Sequence, residues 1–391
     1  MKFDFDKVVD RHGTKCLKYD FAKERGRSDD MLPLWVADMD FQTAPGIQKS
    51  LSDAVAHGIY GYSEGKDDYF QAAAGWYEKH FGWKVEKEWL IKTPGVVFAL
   101  AMAVKAYTKE GDAVLLQQPV YYPFSEVITD NHRRLINSPL QQIDGHYEIN
   151  FEEFEQKIVE ENVKLFLMCN PHNPVGRVWK EWELRKIGDI CLKHNVLVVS
   201  DEIHSDFTYG ENIHHVFASL DEKYAAITTT CTAPSKTFNI AGLQISNIWI
   251  SNSELRAGFR AEVTAAGYSQ VNLMGLVACQ AAYETGEEWL KELKIYLEGN
   301  LDYVRTFLKE NLPEIKLTEP EGTYLLWLDF KSLGMKEEQL KDLVENKAKL
   351  WLDSGAMFGP DGEGFERINI ACPREILKQA LTQLAESVHD R

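Results

Sequence analysis

The stretch Thr232-Ala233-Pro234-Ser235-Lys236-Thr237-Phe238-Asn239 decides the fold. It follows an apolar run, Ala225 to Thr230, that reads as a buried strand, so Lys236 stands just past a strand end. A lysine in that place is either a solvated loop charge or an amine held in an active site. Two polar positions upstream bear on the choice. Asn173 lies in Asn170-Pro171-His172-Asn173-Pro174-Val175-Gly176, and Asp201 in Ser200-Asp201-Glu202-Ile203-His204, each beyond an apolar run of its own. Open α/β sheets bind ligands outside the carboxyl ends of their strands, so one crevice can hold all three residues. A lysine for an aldehyde, an aspartate for a ring nitrogen and an asparagine for a ring hydroxyl point to covalently bound pyridoxal 5′-phosphate. That cofactor uses a lysine Schiff base and a charged partner at its pyridine nitrogen.

Working outward, apolar strands alternate with helical patterns. Val96 to Tyr107 reads as a helix, Ala113 to Gln117 as a strand, and Leu165 to Cys169 as a strand broken at Asn170-Pro171. Trp179 to His194 is an amphipathic helix, Val196 to Ser200 a strand, and Gln244 to Ile250 another. This alternation predicts an α/β fold with a mostly parallel sheet covered on both faces. The character changes after residue 285: a charged helix, Gly286 to Asn311, precedes strands Thr323 to Phe330 and Phe365 to Ala371 with a helix, Glu337 to Asn346, between them. The expected organisation is an N-terminal arm with part of a small domain (1–45), a large cofactor-binding domain (46–285) and a small α+β C-terminal domain (286–391).

The 391 residues are 45% hydrophobic, enough to bury a sizeable core. With 43 basic against 60 acidic side chains the net charge is −17, which disfavours nucleic acid or an anionic membrane as partner. None of the six cysteines (Cys16, Cys169, Cys191, Cys231, Cys279, Cys372) forms a Cys-x-x-Cys pair, so buried free thiols are expected. Met1-Lys2-Phe3-Asp4-Phe5-Asp6-Lys7 lacks an apolar signal core, and the run from Gly95 to Val104 is too short to span a bilayer. A cytoplasmic protein is expected. No His-Glu-x-x-His pattern and no Gly-x-Gly-x-x-Gly after a strand are present, so neither a metal nor a dinucleotide is expected.

Each candidate has a role and a competitor. Lys236, freed from the cofactor by an incoming amino acid, serves as the base for the α-proton, with Ser235 and Thr232 as hydroxyls near a phosphate. Asp201 ends an apolar strand, where an unpaired charge is costly and a protonated ring nitrogen would satisfy it; Glu202 is the weaker candidate. Asn173 is a donor to the ring oxygen or a turn residue, and Asn170 is structural. Gly95-Val96-Val97 opens a helix whose free amides suit a phosphate. Tyr121 stacks on the ring or belongs to the core. Arg367, alternating with apolar neighbours in Phe365-Glu366-Arg367-Ile368-Asn369, is either a solvated arginine or a bidentate clamp for the substrate carboxylate, with Arg374 as rival.

The chain resembles fold-type I pyridoxal-phosphate enzymes of the class I/II aminotransferase superfamily over nearly its whole length, and within them the MalY/PatB-type cystathionine β-lyases. The narrower resemblance rests on Leu32-Pro33-Leu34-Trp35-Val36-Ala37-Asp38-Met39-Asp40-Phe41, Tyr60-Gly61-Tyr62, Ser200-Asp201-Glu202-Ile203-His204 and Ser235-Lys236-Thr237-Phe238-Asn239. It implies an aspartate aminotransferase-like fold with a seven-stranded large-domain sheet. It implies that Lys236 carries the cofactor, Asp201 pairs with its nitrogen, Asn173 donates to its ring oxygen and Tyr121 stacks on it. The Val96 and Val97 amides hold the phosphate, joined by Tyr62 of a second subunit in a homodimer whose active site lies at the subunit interface. Arg367 binds the substrate carboxylate with the backbone around Ala37 and Trp35. His204 stands where aspartate aminotransferases carry a tyrosine, and Ile240-Ala241-Gly242-Leu243-Gln244 where they carry a phosphate-binding arginine; both departures argue against a simple transaminase. The implied activity is α,β-elimination of cystathionine or a related S-substituted cysteine to pyruvate, ammonia and a thiol, in amino-acid metabolism and methionine biosynthesis. An aminotransferase is the alternative, and a regulator that binds a transcription factor is the second alternative.

Overall fold

The computed structural model describes residues 2–391. Its centre is a seven-stranded sheet made of β1 (Leu90–Thr93), β2 (Ala113–Leu116), β3 (Arg134–Asn137), β4 (Val163–Cys169), β5 (Leu197–Asp201), β6 (Thr228–Thr232) and β7 (Ser246–Trp249). The spatial order is β1-β7-β6-β5-β4-β2-β3. All neighbouring pairs from β6 to β3 are parallel, and β7 runs antiparallel to both β6 and β1.

Period-two alternation of β-carbons assigns the two faces. Val114, Leu116, Leu165, Leu167 and Val199 pack with Ala99, Leu100, Ala103 and Val104 of helix Val96–Tyr107. Their neighbours Leu115, Phe166, Met168 and Val198 pack on the other side with Leu184, Ile187 and Cys191 of helix Glu181–Lys193. Burial on both faces is why these strands read as unbroken apolar runs.

A second, antiparallel sheet holds β8 (Lys316–Leu317), β9 (Leu325–Asp329), β10 (Asp353–Ser354) and β11 (Phe365–Asn369) in the order β8-β9-β11-β10. Helices Glu287–Asn311 and Arg374–His389 contribute Leu297, Leu301, Val304, Leu377, Leu381 and Leu384 to the core that also holds Leu326, Leu328 and Ile368. The N-terminal stretch joins this part of the molecule. Leu32–Pro33 pairs in parallel with Leu350–Trp351, and Phe5 packs on Phe41, Trp289 and Tyr296.

Two elements differ from the sequence expectation. The run Ala225 to Thr230 is not one strand: Asp221 caps a short helical turn, Glu222–Ala225, by accepting from the Lys223 amide, and β6 starts three residues late at Thr228. Four buried threonines of β6 pass as strand residues because β-branching suits the pleat. The stretch Glu337 to Asn346 is a short α-helix, Glu337–Lys341, that widens into a π-helical turn, Asp342–Lys347.

Candidate active site

The carboxyl ends of β4, β5 and β6 open onto a cavity of about 440 Å³. Cys169 and Asp201, the last residues of β4 and β5, line it, as does Lys236 from the turn Pro234–Thr237 after β6. Asn173, Tyr121, His204, Ser235, Ala37, Val96 and Val97 complete the convergence anticipated from sequence. The cavity also takes in Gly95 and Phe98 at the helix start, Ile203, Ala241 and Gln244.

Asp201 is buried, and its Oδ1 accepts one backbone hydrogen bond, from Ile203 at 3.1 Å. Burial pushes its carboxyl up to about 7; the Ile203 amide pulls the other way, neighbouring Glu202 pushes further up and Lys236 pulls down. Glu202 is committed elsewhere. Its Oε2 meets His214 Nε2 at 2.9 Å, and its Oε1 accepts from Ser200 Oγ and the Phe217 amide. The amine of Lys236 donates to the Ala37 carbonyl at 2.9 Å. Burial lowers it to about 8, opposed by Asp38, with Arg367 lowering it further and Asp201 raising it. His204 is buried and held well below the usual histidine range, first by burial and then by the charges of Lys236 and Arg367.

Arg367 is not a solvated arginine: it is 2% exposed. Its Nη1 donates to Asn173 Oδ1 at 3.0 Å, and its Nη2 to the Trp35 carbonyl at 2.9 Å and to Asp353. The rival Arg374 is tied to Asn300 Oδ1 and stacks over Tyr303 instead. Asn170 is fully buried and donates to the His215 carbonyl, a structural position.

Thr232, an expected ligand, sits elsewhere. The hydroxyl of Thr232 points into the sheet, donating to the Asn247 carbonyl at 2.8 Å and accepting from Trp249 Nε1 at 3.0 Å, so it does not reach the cavity. The Trp35 indole stacks on Trp351 at 4.4 Å, and only its carbonyl approaches the site, through Arg367. Tyr62, expected at the phosphate of a second subunit, is 94% exposed and borders a separate hollow with Tyr60, Gln270 and Met274. Tyr324 was not anticipated. Its hydroxyl donates at 2.9 Å to the same Ala37 carbonyl that holds Lys236, and its ring meets His204 edge-on. Its neighbours in chain, Thr323 and Leu325, carry no sequence signal of a site.

Pyridoxal phosphate fits these residues. A buried carboxyl whose one hydrogen-bond partner among the described residues is an amide has room for a protonated ring nitrogen, and pairing would restore its charge. His204 Nδ1 is buried without a partner among the described residues. Among the described residues no side chain caps helix Val96–Tyr107, so its first amides are left for an anion at the cavity.

A mostly parallel sheet presenting lysine, aspartate and asparagine from its carboxyl edge defines the class as a pyridoxal-phosphate enzyme of the aspartate aminotransferase-like fold. The chain belongs to the aminotransferase class I and II family, whose model matches residues 30–384. It is 43% identical to the cystathionine beta-lyase PatB of Bacillus subtilis (strain 168), covering 97% of this chain and 98% of that protein. Among solved structures it resembles cystalysin from Treponema denticola, which contains a pyridoxal 5′-phosphate cofactor, with a TM-score of 0.96, 38% identity and full coverage of both chains (100% each). It also resembles the PLP-bound C-S lyase from Staphylococcus hominis, with a TM-score of 0.93 and 34% identity over 99% of this chain and 98% of that one.

Proposed function

We propose that the protein is a pyridoxal-phosphate-dependent carbon–sulfur β-lyase that splits cystathionine or a related S-substituted cysteine into a thiol, pyruvate and ammonia. The observation that carries this reading is the meeting of Lys236, Asp201 and Asn173 around one cavity, with Arg367 bonded to Asn173, in a chain 43% identical to a cystathionine beta-lyase.

When bound, the cofactor supplies an aldehyde for the substrate amine and a cationic ring that draws electrons from the α-carbon. Asp201 would hold that ring nitrogen protonated, and Asn173 would orient the ring oxygen with its amide. The guanidinium of Arg367, fixed by Asn173, Asp353 and the Trp35 carbonyl, would take the substrate α-carboxylate with charge-assisted hydrogen bonds. Lys236, with an amine lowered to about 8, is far more often neutral near neutral pH than a free lysine and accepts the α-proton on Nζ. The carbon–sulfur bond then breaks with its electron pair leaving on sulfur, and water converts the released 2-aminoacrylate to pyruvate and ammonia.

The chain is further proposed to act as a homodimer, with Tyr62 reaching the phosphate held by the neighbouring subunit. The exposure of Val55, Ile59, Tyr60 and Tyr62 on one short stretch supports this. A cytoplasmic location is supported by six cysteines that all remain free thiols. No helix of the described residues is long and apolar enough to cross a membrane. The division at residues 45 and 285 is retained as the proposed domain organisation.

The test is an incubation of the purified holoprotein with cystathionine and no 2-oxo acid. Release of pyruvate and thiol is expected. Turnover that requires a 2-oxo acid acceptor would assign an aminotransferase instead.

A further inference from the structure

The segment Leu34 to Phe41 crosses the site as a strap whose carbonyls alternate in their partners. Those of Trp35 and Ala37 face the chemistry: Trp35 accepts from Arg367 Nη2, and Ala37 from Lys236 Nζ and Tyr324 Oη. Those of Val36 and Asp38 face away and accept from Asn369 Nδ2 at 2.7 and 2.6 Å. Asn239, three residues past Lys236, grips the next stretch: its Nδ2 donates to the Met39 and Phe41 carbonyls, and its Oδ1 accepts the Met39 amide. A shift of this strap would therefore move the acceptors of both the base and the carboxylate clamp.

The strap has an outer hold as well. Its carboxylates Asp38 and Asp40 meet two cations from the N-terminal segment. Arg11 reaches both oxygens of Asp38 at 2.6 and 3.2 Å and Asp40 at 2.7 Å. Lys18 reaches Asp40 at 2.7 Å and lies 3.8 Å from Asp38. Lys18 is 0% exposed and Asp40 is 5% exposed. Burying such a pair gives little net stability, because desolvation offsets the attraction.

We propose that Lys18 and Arg11 are positioning residues for catalysis: by clamping Asp40 and Asp38 they hold the strap so that the Ala37 carbonyl receives the Lys236 amine and the Trp35 carbonyl orients Arg367. The inference rests on Lys236 being the cofactor lysine. Neither cation lines the cavity, so each acts through the strap. A misplacement of about 1 Å from a distant change can cost on the order of 10²-fold in rate.

The experiment uses three variants: Lys18→Met; Lys18→Met with Asp40→Asn, which leaves no unpaired buried carboxylate; and the milder Arg11→Lys, which keeps the charge and loses the fork. Two readouts are taken. One is kcat and KM for cystathionine in the holoprotein. The other is the rate at which cofactor-free protein captures pyridoxal phosphate on Lys236, trapped with borohydride and located by peptide mass. Expected are a fall of about tenfold or more in kcat/KM, carried by both parameters, and slower capture in the double variant and in Arg11→Lys. A lowered melting temperature with kcat, KM and capture all within about twofold of wild type would assign the cluster a purely structural role and overturn the proposal. If Lys18→Met and the double variant fail to fold, Arg11→Lys decides by the same readouts. Wild-type protein that captures nothing on Lys236 refutes the functional reading itself, whatever the variants do.

Discussion

Replacing Asp201 by asparagine should make the cofactor-free protein increasingly stable relative to wild type as pH rises, with the difference smallest below the ordinary carboxyl value of 3.8. The carboxyl moves from an ordinary 3.8 to about 7 because burial disfavours its charge. A group raised in the folded state binds more protons there than in the unfolded chain between those two values, so stability falls as pH rises through that window. Integrated from about pH 5 to about pH 8, the loss is about 2–3 kcal/mol. Asparagine has no such titration, so urea unfolding of both cofactor-free proteins across this range should show the variant gaining by about that amount relative to wild type. With the cofactor loaded, the carboxylate gains a cationic partner and the advantage should reverse, the variant losing cofactor more readily. A stability difference between variant and wild type that does not change with pH would show that the Asp201 carboxyl is not desolvated as the structure describes.

Arg367→Lys loses the planar fork that meets Asn173, Asp353 and the Trp35 carbonyl together. Steady-state kinetics should show KM for the amino acid raised by about tenfold or more, since an ammonium does not replace a bidentate site. Gly188→Ala tests the packing under the sheet. A β-carbon there would lie 2.4 Å from the ring of Tyr224, whose hydroxyl is tied to Asp189, so denaturant unfolding should show a loss of about 1–3 kcal/mol.

The sheet was legible because burial on both faces leaves strands such as Val163–Cys169 as uninterrupted apolar runs. Lys236, Asp201 and Asn173 stood out for the same reason, each being a polar residue stranded beyond such a run. The two-residue extension of β6 beyond Thr230 explains what failed at Thr232. With the strand extending to that position, the hydroxyl faces Asn247 and Trp249 in the sheet rather than the loop side. Trp35 was visible as a distinctive residue, and its carbonyl rather than its indole meets Arg367. Asp353, Tyr324 and Lys18 gave no local signal at all. Their partners, Arg367, Ala37 and Asp40, are set by how the strap and the small sheet fold over the large one, and no periodicity records that.

Every assignment at the site depends on Lys236 being the lysine that carries the cofactor. Borohydride reduction of the holoprotein, followed by peptide mass mapping, tests this directly. One pyridoxyl group per chain on the peptide containing Ser235-Lys236-Thr237 is the predicted result, with no incorporation and no lyase activity in Lys236→Ala. A pyridoxyl group fixed on another lysine, or a Lys236→Ala protein that still releases pyruvate at the wild-type rate, would contradict it.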